Sequence, residues 1–105
     1  MTLCAADIIA RGKPDDMPLL NHYTNSTLDF SKVQWHATRE GDVVTIVARY
    51  QEGSTVMLGT DTVEMAPWPY LTTATRRVVV QAAILTAAAN LVSRWRIHNP
   101  QGALQ

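Results

Sequence analysis

From Val33 to Met65 apolar residues recur at about every second position, and from Thr73 to His98 they recur at every third or fourth. The two periods belong to different backbones, because strand side chains alternate between faces whereas helical ones step by about 100° per residue. A chain that reads first one way and then the other, within 105 residues, is confined to a sheet that buries one face under a helix. The expected class is α+β.

In "SKVQWHAT", Val33, Trp35 and Ala37 point one way while Lys32, Gln34, His36 and Thr38 point the other, the pattern of a half-buried strand. "REGD" closes a hairpin, with Gly41 available for a positive φ. "DVVTIVARY" is β-branched with both faces partly apolar, which suits a central strand. "QEGS" turns the chain again, and "TVMLGTDTVEM" forms a third strand in which Gly59 reads as a bulge or break. A three-stranded antiparallel meander results. Pro67 and Pro69 then end the sheet, and Thr72 or Thr73 is the natural cap of a helix that runs to His98 and is stopped by Asn99-Pro100.

Ahead of the sheet, Thr2 can cap a short N-terminal helix over "LCAADIIAR" that ends at Gly12. Residues 13–29 are rich in breakers and read as a loop from which Leu19, Leu20 and Tyr23 reach the core. Residues 99–105 read as a flexible tail. The whole of 1–105 is one domain, short for two, and its 47% apolar and 17% charged composition offsets the entropy of ordering it.

The long helix raises the functional question. Val80, Leu91, Ile84, Trp95, Ala88, Val92, Leu85 and Val78 fall within one arc of about 160° at 100° per residue, and the opposite side is diluted by Val79, Ala83 and Ala87. A two-layer fold needs an apolar stripe little more than about 100° wide. The surplus is met either by the segments ahead of the sheet or by another chain, an identical copy in a homodimer or a different protein.

Formal net charge is zero, but residues 1–64 carry nine acids against five bases and residues 65–105 carry four bases and no acid. Either the halves attract each other or a basic face meets an anionic partner. Arg76 and Arg77 sit near the helix start, where the macrodipole disfavours them; they hold an anion there or bridge to Asp61 or Glu64. Arg94, Arg96 and His98 sit at the favourable end. Trp68, between two prolines, is either a rigid exposed anchor or a core residue.

Catalytic and metal signatures are missing. His22, His36 and His98 show no ligand spacing, Asp15-Asp16 read as turn residues, and no phosphate-binding loop, nucleophile elbow or HExxH occurs. His36 is the best single acid–base candidate, with no partner in view. Cys4 is alone and reads as a small buried hydrophobe in a reducing compartment. The first ten residues lack a secretory pattern, and Gln81 and flanking arginines interrupt the longest apolar run, so the expectation is a cytoplasmic protein with no membrane span, cofactor or metal.

The order helix, three strands, helix is similar to that of the double-stranded RNA-binding domain, and "TRRVVVQAAILTAAANL" resembles the second helix of that family. The resemblance implies that Arg76 and Arg77 match the first two basic positions of its phosphate-binding cluster. Val78 and Val79 depart from the pattern, and the acidic "REGD" stands where that family has a glycine-proline-histidine loop.

The expected function is therefore a non-enzymatic protein–protein interaction module, an adaptor or inhibitor of the phage or mobile-element accessory type. It would dock through the long helix with Arg76, Arg77, Arg94, Trp95, Arg96 and Trp68, since Trp and Arg are enriched among binding hot spots. Nucleic-acid binding by the basic helix, and a small enzyme using His36, are the alternatives.

Overall fold

The computed structural model describes residues 17–102, and their side chains from Leu20 onward. The helix expected over 3–11 and the burial expected of Cys4 lie outside the described residues. A short helix α1 (Met17–Thr24) and a 3-10 turn (Phe30–Lys32) lead into strands β1 (Gln34–Glu40), β2 (Val43–Glu52) and β3 (Thr55–Glu64). A second 3-10 turn (Trp68–Tyr70) and the helix α2 (Thr73–His98) follow. The class is α+β, with the three strands in the order β1-β2-β3, all antiparallel, and α2 packed on them.

Both hairpins close through two residues, Gly41-Asp42 and Gly53-Ser54, in which only the glycine has positive φ, +60° and +61°. That is the backbone of a type II′ turn, whose twist matches the flanking strands. It sets a register of Glu40 opposite Val43 and Glu52 opposite Thr55. Val44, Ile46, Ala48, Met57 and Val63 consequently point to one face and are buried there.

Gly59 makes no break. It pairs in register with Ala48, and a Cβ on it would overlap the Ala87 carbonyl and the Leu91 amide of α2 and lie 2.7 Å from Leu91 Cβ. The glycine lets the helix backbone approach the strand, a use distinct from bulging.

The 13–29 stretch corrects the loop expectation, since Met17–Thr24 is helical. Asn25 at φ +50° ends this helix, with Ser26 N–H donating to the Asn21 carbonyl at 3.0 Å and Asn25 N–H to the His22 carbonyl at 3.3 Å, a Schellman pairing. Leu20, Leu28 and Phe30 enter the core, whereas Tyr23 stays 53% exposed. Residues 99–102 likewise do not trail away: Thr27 N–H donates to the Gly102 carbonyl at 2.7 Å, and Gly102 lies under the Trp95 ring, where a Cβ would collide with it.

Helix α2 starts at Thr72, whose hydroxyl accepts from Thr75 N–H at 3.1 Å. Its buried residues are Val80, Ala83, Ile84, Ala87, Ala88, Leu91, Val92 and Trp95, an arc of about 180° at 100° per residue. The expected surplus is thus largely hidden by the chain's own fold. Of the eight residues placed on the apolar arc, Leu85 is half-buried and Val78 is 63% exposed, while the other six are buried. The reason is breadth of cover: α2 packs on β3 and β2 and, along its flank, on α1. Each fully buried Leu, Ile or Val contributes about 1.5–3 kcal/mol relative to exposure, so this seam accounts for much of the stability. It also explains why a helix long and apolar enough to cross a membrane is packed in a core, with 44% of its most apolar window buried.

Candidate functional site at the start of the long helix

Arg77, Val80, Ile84 and Ala88 follow one another at helical spacing and so share one side of α2. Val80, Ile84 and Ala88 are buried under the sheet, yet Arg77, and Thr73 before it, are exposed. Cover therefore ends at Val80, and the first turns of α2 project beyond it. Beneath them lies a cavity of about 420 Å³ lined by Trp68, Thr73, Arg76, Arg77 and Val80. Among the described residues its lining holds two guanidinium groups and no carboxylate.

The two arginines play different parts. Arg76 donates from Nε and Nη2 to the Trp68 carbonyl, at 3.1 and 2.9 Å, and its Cζ lies 5.2 Å from the centre of the Trp68 ring. Neither of the acids expected for it, Asp61 or Glu64, is its partner; the guanidinium braces the 3-10 turn against the helix and stacks on the indole. A charge that the helix macrodipole disfavours is thereby compensated by a carbonyl and a π face. Arg77 is exposed and makes no hydrogen bond among the described residues.

Trp68 is 5% exposed, so it is a wall of the cavity and part of the core, and the freely exposed anchor is not found there. The side chain that stands out is its neighbour Tyr70, 89% exposed. With Val78, it gives the start of α2 two large apolar side chains in solvent. Tyr70 carries no sequence signal beyond following Pro69 in a turn; Val78 belonged to the apolar arc but could not be told from its buried neighbours.

The other candidates are dispersed. Trp95 is 7% exposed and belongs to the core, with Gly102 against its ring. Arg96 donates from Nη2 to the carbonyls of Thr24, at 3.0 Å, and Asn25, closing the C-terminal end of α1. Arg94 is exposed on α2, but it lies seventeen residues from Arg77, about 25 Å along the axis. Two of the six residues assigned to a partner surface, Arg77 and Arg94, are thus exposed, and the structure does not bring them together.

A second cavity, about 390 Å³, is lined by Thr27, Trp95, His98, Asn99, Pro100, Gln101 and Gly102. His36 lines neither of these cavities. It projects from β1 in a row with Val47 and Thr60, which offer it no proton-transfer partner. Among the described residues no three His, Cys, Asp or Glu side chains gather as a metal site. Comparison with protein-family models, with curated proteins and with solved structures yields no match.

Proposed function

We propose that the protein is a small non-enzymatic interaction module, of adaptor or inhibitor type and cytoplasmic, that docks onto another protein through the projecting start of α2. The observation that carries this reading is the exposure of Thr73 and Arg77 on the otherwise buried side of the helix, above a cavity with cationic walls. Tyr70 and Val78, exposed in the same stretch of chain, add apolar area to the start of the helix. A partner segment that sets an acidic group against Arg77 and an apolar side chain against Tyr70 or Val78 suits this surface, because Arg and Tyr are the side chains that concentrate binding energy when desolvated.

The reading narrows the expected surface. Trp95, Arg96, Arg76 and Trp68 act within the fold, so docking rests on Arg77 with Tyr70 and Val78. Among the described residues the arginines of α2 form no continuous basic stripe for a nucleic acid, since Arg76 and Arg96 turn onto main-chain carbonyls and Arg77 and Arg94 lie far apart.

The test is capture from the native host with the full chain as bait, comparing wild type, the double variant Arg77→Glu/Val78→Asp, and an Arg94→Glu control. A partner retained by wild type and the control but reduced at least about tenfold by the double variant is expected, the loss of one hot spot being worth about 2 kcal/mol. A partner held equally by all three overturns the assignment of the surface. Both changes lie at exposed positions, so unchanged melting of the double variant shows that the fold is intact.

A further inference from the structure

Among the described residues no element covers the side of the sheet turned away from α2, and its register makes it self-complementary. Across the three strands the residues on this side form rows: Glu40, Val43 and Glu64; Thr38, Thr45 and Thr62; His36, Val47 and Thr60; Gln34, Arg49 and Leu58. Leu58 is 39% exposed and Val56, one row further, 45%. An antiparallel sheet can leave one face to water, but here the charges are sorted to opposite ends. Glu40 and Glu64 flank Val43 in the first row, with no cation on this side of the row. Six residues along β2, about 20 Å away at 3.3 Å per residue, Arg49 is held by the side-chain oxygens of Gln34 at 3.2 Å and Gln51 at 3.3 Å, neutral acceptors that fix the guanidinium without cancelling its charge.

We propose that two copies of this chain associate face to face through this side of the sheet, about a two-fold axis that runs between the sheets, across the strands and level with Ile46. Rotation about that axis carries Val43 of one copy over Arg49 of the other, and sets Arg49 between the two glutamates of its partner. The same operation acts twice in the dimer, as a self-complementary interface requires. The middle rows then meet as Thr38, Thr45 and Thr62 against His36, Val47 and Thr60, surfaces that are β-branched except at His36 and suited to packing of aligned sheets. Three strands about 4.8 Å apart and about 25 Å long offer a footprint smaller than that of stable interfaces, in the range of weak, transient contacts. The dimer is accordingly weak and sensitive to salt.

Sedimentation equilibrium of the full chain tests this, from about 5 µM to about 1 mM, a span that covers binding free energies near −4 to −7 kcal/mol. The expected result is a mass rising from 11.6 kDa toward twice that value, and rising less at high ionic strength. Arg49→Glu alone, and Glu40→Lys/Glu64→Lys alone, should each remain monomeric, because each sets like charges together. Mixed, the two variants should pair with each other, because opposite charges then meet at both ends. That recovery also shows that both variants are folded. A chain that keeps its monomer mass throughout overturns the proposal and leaves the face to water, to residues 1–16 or to a different protein. A dimer indifferent to the charge reversals overturns it too, by placing the contact elsewhere.

Discussion

Gly59 is the residue at which the two layers come closest, and its role is decided by what lies above it. Any side chain there must displace the backbone of α2 at Ala87 and Leu91. Gly59→Ala should therefore destabilise by about 1–3 kcal/mol, the usual cost of overpacking, read as a lower denaturation midpoint; a neutral effect would show that the helix can lift away freely. Asp29 is a different case. Its carboxylate accepts from the hydroxyl and the N–H of Ser31, at 2.5 and 3.1 Å, and these bonds hold its pKa below the ordinary aspartate value. A lowered folded pKa means that the contribution is present above the unfolded pKa and is lost as pH falls through the folded one. Asp29→Ala should lower the melting temperature near neutrality, and the gap from wild type should close in acid; a gap constant down to pH 2 would contradict this. The positive φ of Gly41 was legible beforehand because the turn in "REGD" calls for one; that of Gly53 was not assigned, although "QEGS" read as a turn. The acceptor of Arg76 was not, since a main-chain carbonyl leaves no signature in the side-chain order.

Among the elements, the strands and α2 could be read because each repeats its period over many residues. Helix α1 could not. Its eight residues make barely two turns and begin at Met17-Pro18, so breakers dominate the local composition, although proline is harmless in a first helical turn. Its C-terminal signal was present in Asn25-Ser26 but has meaning only once a helix is suspected. What holds α1 is tertiary: Leu20 in the core and the Arg96 guanidinium on its final carbonyls. Arg96→Ala should cost about 1–3 kcal/mol through the loss of charge-assisted hydrogen bonds. Hydrogen exchange locates the effect, with faster exchange of the α1 amides and little change in the middle of α2. Equal acceleration in both helices would mean that Arg96 supports the whole core.

At the scale of the molecule, the acidic first part and the basic last part need not attract each other through ion pairs. Arg76 and Arg96 are held by carbonyls, and Arg77 and Arg94 stand in solvent. Stability measured at low micromolar concentration should change by less than about 0.5 kcal/mol between low and high salt, because screening acts on exposed charge pairs; a large loss would restore the attraction between halves. The order of strands, the turns, the extent of α2 and the α+β class were determined by periodicity and turn chemistry alone, which are properties of consecutive residues. Which apolar residues of α2 remain exposed was decided only by the tertiary structure. Sequence periodicity shows which side of a helix is apolar, but the cover over that side comes from residues remote in the chain, here β2, β3 and α1. The same cover runs out at Val80, and that is what leaves Arg77 above a cavity.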